Sequence, residues 1–169
     1  MSRFGTELEV QIASLRRYAR ALLRDKNDAD DLVQESLARA LSRADRFKPG
    51  TNLRAWLFTI MHNVHVNQVR QKISRPDEVP VEEHEMRLIT PARQETSIEL
   101  RDMSRALAEL PDEQRQVLLL VALEGLKYDE VATVLQIPIG TVMSRLSRAR
   151  EAVRIKLSNE GGVPLRRVK

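Results

Sequence analysis

Apolar residues recur along this chain at spacings of three and four, the period of helices with one buried face. Leu8, Ile12, Leu15, Ala19 and Leu22 form the first stripe. In front of it, Thr6-Glu7-Leu8-Glu9 fits a capping box, in which the Thr and the third-position Glu satisfy exposed amides reciprocally. A turn at 25–28 follows. Asn27 or Asp28 is placed to cap a second helix that carries Leu32/Val33, Leu37, Ala40/Leu41 and Ala44 inward. Phe47-Lys48-Pro49-Gly50-Thr51 breaks the pattern. Thr51 or Asn52 then opens a third helix, with Leu53, Trp56/Leu57, Ile60 and Val64 on its apolar side.

From 74 to 96 the periodicity dissolves into an acidic stretch punctuated by Pro76, Pro80 and Pro91, which reads as a flexible linker. Thr96-Ser97-Ile98-Glu99 is a second capping box, followed by Leu100, Met103, Leu107 and Leu110. Pro111 starts the next helix, whose Val117-Leu118-Leu119-Leu120-Val121 run is suited to burial on most sides, and Gly125 ends it. A short helix over Tyr128–Leu135, a tight turn at Gln136-Ile137-Pro138-Ile139 and a long helix lined by Val142, Leu146, Ala149, Val153 and Leu157 complete the pattern. No stretch alternates with the period of a strand. The expectation is an all-α chain of two small helical domains, 6–73 and 97–160, joined by the acidic linker 74–96.

Composition narrows the classes. The 169 residues suffice for one ordinary domain or two small ones. Aromatics are 4%, and Gly 6 with Pro 7 leaves too few turn signals for a many-stranded sandwich. Cysteine is absent, which removes disulfides, thiol chemistry and Cys-zinc sites. No apolar run reaches the ~18 residues of a membrane span, and MSRFGTELEV lacks a signal peptide's apolar core. A cytoplasmic protein with no membrane insertion is expected.

Charge is unevenly placed. Residues 1–75 hold 14 Lys/Arg against 8 Asp/Glu, 76–103 hold 3 against 8, and 138–169 hold 8 against 2. Basic blocks around an acidic middle suit a polyanion partner, and they also suit plain solubility.

Three constellations bear on chemistry. The last two helices and their Pro-containing turn make a helix-turn-helix, a unit whose second helix lies in the DNA major groove. Its exposed face carries Thr141, Ser144, Arg145 and Arg148; Arg forks onto guanine, and Ser and Thr bond bases or phosphates. Arg150 and Arg154 are placed for phosphates, as are the helix N-terminal amides near Gly140 and Thr141. An ordinary helical hairpin with a solvated basic face shares this pattern. The helix from Asn52 carries Asn63, Asn67, Arg70 and Gln71 opposite its apolar stripe, with Arg46, Lys48 and Arg54 nearby, a set suited to single-stranded nucleic acid. Asp30, Asp31, Gln34 and Glu35 share one helix edge, which alone fits a solvated acidic helix start. Catalytic motifs are missing: His62 and His65 are three apart, without the HExxH spacing, and no phosphate loop or nucleophile elbow occurs. These histidines read as surface or base-contacting groups.

At this point the wording carries a family likeness. RRYARALLRDKNDADDLVQESLARALSRADRF and FKPGTNLRAWLFTIMHNVHVNQVR resemble domain two of a bacterial extracytoplasmic-function (ECF) sigma factor, and LAELPDEQRQVLLLVALEGLKYDEVATVLQIPIGTVMSRLSRAREAVR resembles domain four. The likeness covers residues 10–72 and 104–157, and NLRAWLFTIMHNV…NQVR further resembles the general-stress-response subgroup. The resemblance implies a transcription initiation factor without enzyme activity, cofactor or metal. Its implied partners are core RNA polymerase, through the clamp helices of the largest subunit and the flap, promoter DNA in double- and single-stranded form, and an anti-sigma factor. It implies polymerase contacts at Asp30, Asp31, Gln34 and Glu35. It implies minus-ten contacts at Arg46, Lys48, Asn52, Arg54, Asn63, Asn67 and Arg70. Gly140, Thr141, Met143, Ser144, Arg145, Arg148 and Arg150 would read the minus-thirty-five element. Met143 and Ser147 depart from the family wording. A sigma mimic that titrates an anti-sigma factor, or a free-standing repressor, are the rival expectations.

Overall fold

A computed structural model describes residues 2–74 and 96–159. The linker expected at 74–96 therefore lies almost wholly outside the described residues. Among those residues the chain is helical, without strands.

Helix α1 spans Arg3–Leu22 and α2 spans Lys26–Ser42. A 3₁₀ turn over Ala44–Arg46 leads to α3, Leu53–Ile73. The starts of α1 and α2 differ from the sequence expectation. Ser2 caps α1, its hydroxyl accepting from the Gly5 amide, so Thr6 lies inside the helix rather than at its head. Asp25, not Asn27 or Asp28, caps α2, accepting from both of their amides. In each case the helix begins at an earlier side-chain acceptor, so the exposed first-turn N–H groups lie ahead of the residue expected to cap them. Asn52 caps α3 as expected, its Oδ1 accepting from the Ala55 amide.

The three helices close around Leu15, Tyr18, Leu32, Leu57, Phe58, Met61 and Val64, all buried. Tyr18 and Phe58 meet edge to face at 5.2 Å. Leu41, expected inside, is 58% exposed because Ala40 takes the inward position beside it. Trp56 is partly buried and packs with Phe4 and Phe47, at 6.2 and 5.3 Å between ring centroids.

In the second half α4 covers Thr96–Glu109 and α5 covers Asp112–Leu118. The described side chains of α4 begin at Ile98, so its capping box is not among them. Helix α5 widens over Leu119–Leu123 into a π turn, in which the Glu124 amide donates to the Leu119 carbonyl. Gly125 stops it at φ +67, and Leu126 N–H reaches back to the Leu120 carbonyl. This is a helix stop in which a left-handed residue lets the chain reverse. Helices α6, Tyr128–Leu135, and α7, Ile139–Asn159, form the expected helix-turn-helix. Gln136 makes its turn at φ +55. Val142, Leu146, Ala149 and Val153 anchor α7 from below.

The buried residues of both halves join in one continuous core. Arg115 reinforces the join. Its guanidinium donates to the Leu107, Ala108 and Leu110 carbonyls in its own half and, at 3.1 Å, to Leu22 at the end of α1. A cation placed on carbonyls at helix ends adds to their hydrogen bonding, here beside Arg24 on Ala108 and the Leu110 amide on Leu107, and complements the negative end of the helix dipole.

Candidate nucleic-acid interface

The expected polymerase edge lies on α2. Asp31 and Gln34 are exposed, one helical turn apart along the surface. Asp30 is half-buried, 3.9 Å from Arg20. Glu35 is the most engaged of the four: it accepts from Arg39 at 2.6 Å and from Gln68 of α3 at 3.0 Å. Its carboxylate braces α2 against α3, a role that the sequence edge alone does not disclose.

The row expected on duplex DNA lies along α7. Gly140, Met143, Ser144, Ser147, Arg148 and Arg150 are exposed, while Thr141 is half-buried. The buried positions of α7 all face the other way, so its outward face is held by packing beneath it. Arg145 is the exception. It sits 3.4 Å from Glu113 at the start of α5 and is largely covered. Arg154 is held by Glu151.

The strand-reading set is split. Asn63, Asn67 and Arg70 line the exposed side of α3, and Arg46 and Lys48 are exposed before it. Asn52 and Arg54 instead face the second half. Asn52 Nδ2 donates to Glu130 of α6 at 2.7 Å. Arg54 donates to both the carboxylate and the backbone carbonyl of Glu124. In this arrangement Arg54, expected to follow a phosphate backbone, is held by a carboxylate.

Glu124 was invisible to motif reading. Its side chain has no solvent exposure, and Arg17 of α1 grips it as a fork, Nε to Oε1 at 3.0 Å and Nη2 to Oε2 at 2.9 Å. The π turn places it: one extra residue in the helix swings the following side chain toward α1 and α3. His65 corrects a second expectation. It is buried rather than on the surface, with Nε2 3.2 Å from Asp112 Oδ2. Gln116 donates to the same oxygen at 2.6 Å. Burial pushes the Asp112 carboxyl up, but the His65 hydrogen bond, the charges of His65 and Arg115 and the Gln116 bond outweigh it and hold it below its ordinary value. His62 is lowered, first by burial and then by the neighbouring His65. Burial also drives the Tyr18 phenol far above its usual range, with the carboxylates of Asp112 and Glu124 adding to the shift. Among the described residues no cluster of three or more His, Asp or Glu could hold a metal ion. No described helix is long and apolar enough to cross a membrane.

These two helical units match known families. Residues 8–62 match the Sigma2 domain of PhyR, and residues 100–153 match Sigma-70, region 4. The ECF RNA polymerase sigma factor EcfG of Rhodopseudomonas palustris is 37% identical over 150 residues, 89% of this chain and 82% of that one. The chain belongs to the ECF sigma factors.

Solved structures agree with that placement. The sigma factor RpoE of Bartonella quintana, in complex with the anti-sigma factor NepR, superposes with a TM-score of 0.81 at 34% identity, covering 94% of this chain and 98% of that one. The anti-anti-sigma factor PhyR of the same organism superposes with a TM-score of 0.59 at 18% identity, over 91% of this chain and 50% of that one, a likeness of fold. In this ECF sigma factor α6, the turn and the first four turns of α7 lie within the region 4 match, and the Arg17–Glu124–Arg54 cluster joins one sigma unit to the other.

Proposed function

We propose that this sigma factor binds core RNA polymerase, directs it to promoters through minus-thirty-five and minus-ten elements, and helps open the duplex. The units that carry this are 6–73 for polymerase binding and minus-ten recognition and 97–160 for minus-thirty-five recognition. The observation that carries the reading is the match of both sigma units in order, together with an α7 whose outward row of Ser144, Arg148 and Arg150 is exposed. Polymerase performs the chemistry; the chain supplies recognition, so no enzyme activity is assigned to it. Asp31 and Gln34, open on α2, are the first residues to assign to polymerase docking, with Asp30 and Glu35 beside them. Its place of work is the cytoplasm, with the polymerase.

Control by an anti-sigma factor is part of the proposal. RpoE, which this chain resembles over nearly its whole length, is solved bound to one. The wording of 52–70 also resembles the general-stress-response subgroup, and we assign the chain to it.

The test is multi-round transcription with sigma-free core polymerase on a genomic-fragment library. New transcripts preceded by shared minus-thirty-five and minus-ten sequences are expected only when the chain is added. Arg148→Ala should weaken binding to the minus-thirty-five duplex by about 1–3 kcal/mol, and Arg145→Ala by a comparable or smaller amount because Glu113 already holds that side chain. Unchanged promoter occupancy in both variants overturns the α7 assignment.

The match of residues 8–62 to a PhyR domain favours a second reading, a mimic that titrates an anti-sigma factor without using promoters. Such a protein has no need of a basic exposed α7. Silence in the transcription assay, with tight binding to an anti-sigma factor and none to duplex DNA, would establish it. Tight duplex binding with the same silence points to a free-standing repressor.

A further inference from the structure

The contacts between the two sigma units are of several kinds. Part of the join is apolar, through the shared core. Hydrogen bonds add to it, from Arg115 and Arg24 to the Leu22 and Ala108 carbonyls, from Asn52 to Glu130 and between His65 and Asp112, and beside them lies a buried ionic cluster whose geometry is poor material for permanent glue. Glu124 is fully withdrawn from water, yet Arg17 remains 50% exposed and Arg54 31% exposed. Arg54 Nε is buried with no hydrogen-bond partner among the described residues. Burying ions in an incompletely bonded cluster gains little stability over an apolar contact of the same size. What such a cluster does supply is dependence on a particular pairing, one that another anion can replace.

The replaceable side is the first unit. Arg17 and Arg54 project from α1 and α3 toward one point, and in this arrangement that point is a carboxylate. Asn52, two residues before Arg54, is tied to Glu130 of the same second unit. Asn52 and Arg54 are both members of the set assigned to the minus-ten strand. A DNA phosphodiester is an oxyanion of the kind that an arginine fork accepts in place of a carboxylate. The second unit therefore occupies with its own anion the guanidinium that the strand requires.

We infer that Glu124 is an internal competitor for single-stranded DNA: by holding Arg17 and Arg54 it keeps the free chain closed and its strand-reading edge masked until the two units part. The inference rests on the minus-ten assignment of α3. It makes closure a property of this chain alone, present before any partner is added. Binding to the strand is weakened by the fraction of molecules that are open, so an open fraction of about one in a hundred weakens apparent affinity about a hundredfold.

The chain has no cysteine, so labels can be placed at will. Exposed Ala38 of α2 and Ala152 of α7 are each changed to Cys in the full chain, and energy transfer between the two dyes reports the separation of the units. Binding of a fluorescent single strand carrying the minus-ten sequence is measured in parallel. Glu124→Gln should lengthen the dye separation and tighten strand binding about tenfold or more, and Arg54→Ala in that background should abolish the gain. Arg17→Gln, at a half-exposed helix position, should move both readouts the same way by less, and it serves if Glu124→Gln fails to fold. An unchanged separation in the variants overturns the inference. So does a longer separation with strand affinity unmoved but still lost on Arg54→Ala, which leaves the minus-ten assignment standing. A longer separation with no strand binding in any variant removes the minus-ten assignment, and the inference with it.

Discussion

The two surfaces assigned to DNA are held in opposite ways. The outward face of α7 is presented by packing from below: Val142, Leu146 and Ala149 fix the helix within its own unit, and Ser144 and Arg148 face solvent. The edge of α3 that carries Asn52 and Arg54 is tied instead to the other unit, by Glu130 and Glu124. One surface is ready whenever its unit is folded; the other depends on how the units sit together. On the proposed function, recognition of the duplex can therefore precede access to the strand, the order that promoter opening requires.

The largest effect that sharpens this contrast is expected from Phe58→Ala. Phe58 is buried against Tyr18 and lies under Arg54, whose guanidinium carbon is 5.9 Å from the ring centre. Truncating such a side chain costs about 3–5 kcal/mol. Because the two units share one core, Trp56 fluorescence, which reports the first unit, and far-ultraviolet helicity, which reports both, should fall together in urea. Two separated transitions would show that α7 stays folded when the first unit melts, and would make the contrast sharper still. Arg115→Met comes next. It strips the bonds to four backbone carbonyls, one of them at the end of α1. Ala108 O keeps Arg24 as a donor and Leu107 O keeps the Leu110 amide, so the loss falls on the other two carbonyls, at about 1–3 kcal/mol for each one left dry, and a total of about 2–4 kcal/mol is expected, with duplex binding by the folded fraction unchanged. A loss of duplex affinity in that fraction would mean that the α7 face also depends on the join.

The helices and most inward positions were legible in the sequence, because periodicity of three and four reports burial directly. The helix-turn-helix was legible for the same reason, down to the turn at Gln136 and Ile137. Helix starts were read less well. Ser2 and Asp25 stand ahead of Thr6 and Asn27, and which acceptor becomes the cap depends on where the backbone enters helical geometry. The masking of the α3 edge was not legible at all. Glu124 follows a plain apolar run, and only the π turn, which periodicity does not register, brings its carboxylate onto Arg17 and Arg54. His65 was not legible as a buried group because a titratable side chain reads as exposed, and the carboxylate that meets it, Asp112 at the start of α5, lies far along the chain.

The smallest effect expected is on pH. The imidazole of His62 is held below its ordinary 6.5 by burial first and by His65 next, with Asp112 opposing. Between 6.5 and the lower folded value, the unfolded chain takes up a proton that the folded chain resists. Stability therefore rises with pH across that window and is lost as pH falls through it. Asp112 adds a second, more acidic window. Its carboxyl is held below the usual 3.8, so its contribution is complete above that value and disappears as pH drops through the folded one. Both groups sit where α3 meets α5. Lowering pH from 7.5 to 5.5 should lower the urea midpoint of the wild-type chain, and His62→Gln should flatten that slope. Equal slopes in the two proteins would place the acid sensitivity elsewhere. The acid-sensitive groups thus belong to the join that holds the two units together, on the side of α3 that faces α5.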